Sequence, residues 1–336
     1  EVITFSNSNH FLNFFKDKEL IALQFLSKNP DFFKIFYLIK LAKIRNIMIM
    51  NLGNFGNKQT PNFNLNYLFA FKHYYEKGFY YLFRILTIFN IFPKIDLLFE
   101  SNQKVIEAHK KGISRKFEGL FPFFKISYFR KIEKINSIFF SKNRTRKNLK
   151  KEKYILYIDV PLDHGDIVTR EGVISEENKR KFYKSLSSFL KKISNLLKYK
   201  IVIGLHPSSK IGYKYLSNFD ISKKRTIDLI GNCEVVVCTH SSLISSAVIQ
   251  KKKILSIQSK FLGNYVTQLA NKYKNSLRLY SINIDEPIKE TKKNLNNEMK
   301  NSYKYYDEYV KTRLLSDGDN DPYKKITKVI KKIYFK

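Results

Sequence analysis

Tryptophan is absent from the 336 residues, and cysteine (2), methionine (3) and glycine (12) are scarce. Two cysteines exclude a disulfide scaffold and suit a reducing compartment. Cys233 and Cys238 have no second pair to complete a zinc site, and both fall in an apolar run, so they read as buried core thiols. Glycine forms no phosphate-binding loop, Gly53-Asn54-Phe55-Gly56 being too thin for one. Uncharged runs are short as well: a bilayer-spanning helix needs about 20 apolar residues, and Phe79 to Pro93 is too short and carries Arg84. The first residues lack a basic stretch followed by an apolar block, so no secretory leader is expected, and a cytoplasmic setting follows. Acidic residues are few, 29 Asp+Glu against 62 Lys+Arg, for a net charge of +33.

That charge suggests a polyanionic partner, but 51 of the basic residues are Lys and 11 are Arg. Readers of nucleic acid use Arg forks on phosphate and guanine. Abundant Lys, Asn, Ile, Phe and Tyr are also what AT-rich codons supply. With no RNP-like, zinc-finger or helix-turn-helix pattern, a specific nucleic-acid partner is not expected, and a non-enzymatic nucleic-acid-binding protein ranks last among the functional readings. Lys combined with Tyr and Phe does suit an anionic membrane surface, so peripheral contact at the inner membrane face is expected.

The hydrophobic fraction of 43% supplies a full core, and the length suits one large or two medium domains. Helical spacing is read over 11–26, 32–43 and 64–89, and short apolar strands over 46–52 and 95–100, with a helix from Ser101 to Lys111. Lys142 to Lys153 has seven basic residues and no apolar periodicity, which marks a linker. Beyond it the pattern alternates regularly: strand 154–160, helix 176–197 capped by Ser175, strand 200–205, helix 223–230, strand 233–239, helix 243–250 and strand 253–257. The tail from 295 reads as helical, interrupted near 316–322. The expected class is α/β with parallel sheets. Its domains are residues 1–140, a linker at 141–153, a second domain at 154–294 and a helical segment at 295–336.

Three loops follow strands and bring polar groups to one edge of the second sheet. The first, Asp159 to Gly172, holds Asp163, His164, Gly165 and Asp166. The second is His206-Pro207-Ser208-Ser209, where proline fixes the turn and imidazole can donate to a departing phosphate. The third, Thr239-His240-Ser241-Ser242, opens a helix, whose free N–H groups attract phosphate and whose serines serve either as caps or as ligands. Asp317 to Asp321 contains the only D-x-D matches and reads as a solvated loop, so neither a metal nor a cofactor is expected.

The spacing strand, His206-Pro207, about 30 residues, strand, Ser241-Ser242, helix resembles the nucleotide-sugar half of bacterial glycosyltransferases of the GT-B architecture. It is most similar to bacterial sialyltransferases and capsule Kdo transferases over roughly 154–265. Asp159-Val160-Pro161 with Gly165-Asp166 also resembles the loop opening that domain in the Kdo enzymes, where Gln usually stands in place of Val160. The resemblance implies two Rossmann-like domains facing a central cleft, followed by C-terminal helices. It implies an inverting, metal-independent transfer of a sugar from a nucleotide donor, a CMP-activated nonulosonic acid or Kdo type placed first, to a glycan or glycolipid acceptor. Carried over, the donor-phosphate roles fall on His206, Ser241 and Ser242; Pro207, Ser208, Ser209, Thr239 and Gly165 in the same loops are further donor-binding candidates, and His206, Asp163 and Asp166 are the catalytic candidates. The general base stays open among Asp17, Glu19, Glu100, Asp163 and Asp166. Polyol-phosphate transfer and nucleotide-sugar epimerisation are the alternatives on the same fold.

Overall fold

The computed structural model describes residues 20–23, 46–51, 95–101, 103, 106–107, 129–137, 154–163, 167–168, 172–206, 209, 214–314 and 321–334. The helices expected at 32–43 and 64–89 and the linker at 141–153 lie outside these residues. The chain divides into two compact units, Glu1–Ile138 with Leu315–Lys336, and Phe139–Leu314. The tail expected as one segment from 295 is therefore shared between them.

In the first unit, strands β1 (Leu20–Leu23), β2 (Asn46–Asn51), β3 (Ile95–Glu100) and β4 (Phe129–Lys134) form a parallel sheet in the order β1-β2-β3-β4. β2 and β3 match the expected apolar runs. β1 corrects the helical reading of 11–26: Leu20 pairs with Asn46 and Leu23 with Ile49. Four apolar residues fit either a helix face or a buried strand, and periodicity alone does not separate them. β4 (FRKIEK) carries little apolar signal, since four of its six residues are charged, as is common on an edge strand, its place among the described residues.

The second unit is built from β5 (Tyr154–Ile158), α1 (Glu176–Leu197), β6 (Lys200–Gly204), β7 (Asp220–Ile221), α2 (Thr226–Asn232), β8 (Val235–Cys238), α3 (Ile244–Ile249), β9 (Lys253–Gln258), α4 (Gly263–Leu277), β10 (Ser281–Asn283), α5 (Lys292–Asn301) and α6 (Tyr306–Arg313). All six strands are parallel, in the order β10-β9-β8-β5-β6-β7. This is the doubly wound arrangement, whose winding reverses between β5 and β8.

Helices cover both faces, which explains why the central strands read as unbroken apolar runs. Side chains alternate along each strand. Ile155, Tyr157, Val235, Val237, Leu255 and Ile257 pack with α1, α4 and α5 residues such as Phe182, Leu186, Val266 and Met299. Tyr154, Leu156, Ile158, Val236, Cys238 and Ile254 pack on the other side with Ile230, Ala247, Tyr306 and Tyr309. α1 begins where expected, the Ser175 hydroxyl accepting from the Asn178 N–H at 3.2 Å, with Glu176 and Glu177 in its first turn. Both cysteines are buried, and burial pushes each thiol up to about 12. In the first unit, α7 (Pro322–Tyr334) packs Ile326 against Leu97, Phe99 and Ile135.

Candidate functional site

The strand register brings the ends of three strands together. Ile158 is the last paired residue of β5, opposite Gly204 on β6 and Cys238 on β8. The next residues, Asp159, Leu205 and Thr239, therefore leave the sheet side by side at its carboxyl edge. Asp159 and Thr239 flank the reversal in strand order, where open α/β sheets bind ligands. A Cβ on Gly204 would meet Thr226 Cγ2 at 2.6 Å, so β6 ends against the first turn of α2 at a separation only glycine allows without a shift.

Asp159 is 4% exposed, and reasoning from the sequence left it out of the candidate residues. Its N–H donates to the Gly204 carbonyl at 3.1 Å. The Tyr183 hydroxyl of α1 donates to Oδ1 at 3.4 Å, and the Ser209 hydroxyl and the N–H groups of Val160 and His206 are directed at the same carboxylate. Oδ2 makes no hydrogen bond. Burial outweighs these donors and pushes the carboxyl up to about 6. Tyr183 is raised from its ordinary value by burial and then by the Asp159 charge, and its ring stacks on Tyr215 at 5.2 Å.

His206 is half-buried, and the Ser209 N–H donates to its carbonyl at 2.8 Å, closing a tight turn. Pro207 and Ser208 lie outside the described residues, as do His164, Gly165, Asp166, Asp17 and Glu19. Asp163 forms an ion pair with Lys179, which also reaches Glu176 at 2.8 Å. Burial alone would lower the Lys179 pKa, but hydrogen bonds to Asp163 and Glu176 reverse this and raise it. Asp163 therefore ties its loop to α1.

In the third loop, Thr239 is buried and its hydroxyl lies 3.4 Å from His240 Nδ1. His240 keeps some surface, but protein crowds the ring, and desolvation pushes it down to about 4, which leaves it neutral. The Ser241 hydroxyl accepts from the Leu243 N–H at 3.2 Å, and Ser242 is exposed. The expected helix opening at Ser241-Ser242 is not what the fold provides. α3 has six residues, and Leu243 stands at its N-cap with no side-chain bond, so neither serine is the N-cap. So short a helix adds little dipole, and the polar groups at this edge are hydroxyls and loop amides.

Farther along the same edge, an open cavity of about 540 Å³ lies beyond β9 and β10, lined by Gln258, Lys260, Asn264, Thr267 and Asn283 among others. Among the described residues, no group of three or more His, Cys, Asp or Glu is placed to hold a metal ion.

No protein-family model matches the chain, and no curated protein matches it. Solved structures do resemble it. The S. aureus MnaA–UDP co-structure is 10% identical, covering 99% of this chain and 81% of its own, with a TM-score of 0.48. The spinosyn forosaminyltransferase SpnP is 8% identical over 96% of this chain and 79% of its own, with a TM-score of 0.44. The wall teichoic acid polymerase TagF is 15% identical over 86% and 69%, with a TM-score of 0.38.

Proposed function

We propose that this protein is a glycosyltransferase that moves a sugar from a nucleotide donor to an acceptor hydroxyl, with the donor at the carboxyl edge of the second sheet. One observation carries this reading. The reversal between β5 and β8 lies beside a loop of small hydroxyl residues, Thr239 to Ser242, with the His206 turn leaving the neighbouring strand β6. Hydroxyls and amides set around a phosphate favour the charge that builds on it as the sugar departs. His206 supplies the donor to that phosphate, and Ser241 and Ser242 bind it. Pro207, Ser208, Ser209, Thr239 and Gly165 complete the donor loops, while Asp163 and Asp166 remain candidates for the acceptor proton. A CMP-activated nonulosonic acid or Kdo-type sugar is the preferred donor, on the resemblance of the two motifs. A lipid-linked or surface glycan is the matching acceptor.

A thermal-shift screen against CMP, CDP, UDP and GDP tests the donor. A ligand that binds the native state raises apparent stability by about 2.7 kcal/mol at a hundred times its Kd. Stabilisation by CMP supports the preferred donor, stabilisation by UDP alone moves the reading toward epimerisation or another sugar, and stabilisation by CDP alone toward polyol-phosphate transfer. No stabilisation by any of them overturns the transferase reading. With the donor in hand, His206→Ala is expected to cut turnover on the order of 100-fold or more with the fold intact.

No helix among the described residues is long and apolar enough to cross a membrane. The membrane contact proposed is peripheral, and α7 exposes Lys324, Lys328, Lys331 and Lys332. Liposome flotation is expected to recover more protein with anionic than with neutral lipid, and equal recovery contradicts this.

A further inference from the structure

Asp159 is one of the few charged side chains buried among the described residues of the second unit. Its contacts run from the central strand to the loop that carries His206. The Ser209 hydroxyl and the His206 N–H, at the two ends of the turn closed by the 2.8 Å Ser209-to-His206 bond, both point to its carboxylate. On the other side Tyr183 reaches Oδ1 from α1. The carboxylate thus joins β5, α1 and the loop after β6. A purely structural site would suit an uncharged group better, because burying a carboxylate with one oxygen unpaired is costly.

We infer that Asp159 is a positioning residue, whose carboxylate ties the turn from His206 to Ser209 to the central strand and so sets where the His206 ring stands at the sheet edge. Its bearing on turnover rests on the transferase reading above, whereas its bearing on the loop does not. The groups facing it are Tyr157 from β5, Tyr183 from α1, and His206 and Ser209 from the loop. Behind them, Cys238 neighbours Tyr157, and Asp163, paired with Lys179, neighbours Tyr183. Burial raises both tyrosines well above their ordinary range and Cys238 to about 12. None of these three changes charge between about pH 5 and 8. With its carboxyl at about 6, Asp159 does, so the tie is made by the ion and weakens as the carboxyl gains its proton.

The test follows the backbone amide resonances of residues 206 and 209 in the isotopically labelled full chain, without nucleotide, from about pH 4.5 to 8. Both are expected to step together with a midpoint at about 6. The step persists in His206→Gln, disappears in Asp159→Asn, and moves to higher pH in Tyr183→Phe and Ser209→Ala, each of which removes a donor to the ion. Should Asp159→Asn fail to fold, the two shifted midpoints carry the test. A step that survives in Asp159→Asn, midpoints that ignore both donor deletions, or no step in the wild type overturns the inference. Because no nucleotide is present, these outcomes are independent of the donor screen.

Discussion

Glu100 and Asp159 are buried carboxylates that close strands in different sheets, and their surroundings differ. Glu100 ends β3, where Oε1 accepts from the N–H of the next residue, Ser101, at 2.8 Å, and its carbonyl accepts from Ile135 at 3.1 Å. Around it the described strands run β1-β2-β3-β4 without reversal. Asp159 follows β5 beside the reversal, and the Tyr183, His206 and Ser209 groups directed at it stand 24, 47 and 50 positions along the chain. Burial of an acid does not by itself mark a working site. Position at a reversal, with partners gathered from separate elements, is the more informative sign.

The largest effect expected from this contrast is in the pH dependence of stability. A carboxyl raised from 3.8 to about 6 by folding contributes stability below its unfolded value, and that contribution is lost as pH rises toward 6. Asp159→Asn removes the dependence. Relative to wild type, the variant is expected to gain on the order of 3 kcal/mol between about pH 3.5 and 7, read by urea unfolding at both values. A constant difference between the two would contradict it. Next, Glu100→Gln disturbs the acceptor of the buried Ser101 N–H and is expected to cost about 2 kcal/mol at neutral pH by the same method. Full wild-type stability would remove the local role given to Glu100. The smallest effect on stability belongs to Ser241→Ala, about 1 kcal/mol for the lost bond to Leu243. Calorimetry is expected to show a several-fold loss of affinity for whichever nucleotide stabilises the protein. Unchanged affinity would make Ser241 a turn residue only.

Much of the second unit was legible because its signals are local. The runs YILYI, KIVIG, VVVC and KILSI are bounded by polar loops, and Ser175 followed by two glutamates announces α1. α4, β7 and β10 went unread. The two strands have only two and three residues, and α4 follows a 3-10 turn at Lys260–Leu262 with no side-chain cap at its start. The candidate site divides in the same way. His206 and Ser241 are proposed from their spacing, which is a property of the chain. Asp159 is proposed from its surroundings, since nothing in YILYID separates an anchoring acid from one that merely ends a strand. Asp163 shows the converse: in sequence it reads as a free acid, whereas the fold pairs it with the buried Lys179. Lys179 itself looks like one more surface lysine among the 51, yet its side chain is 4% exposed.

The central claim is that nucleotide binds at the carboxyl edge of the second sheet, and amide chemical-shift mapping tests it most directly. On titration with the nucleotide that stabilises the protein, saturable shifts are expected at Asp159, His206, Ser209 and residues 239 to 242, with β1 to β4 unmoved at their amino ends. Shifts that saturate elsewhere while these amides stay still would contradict the account.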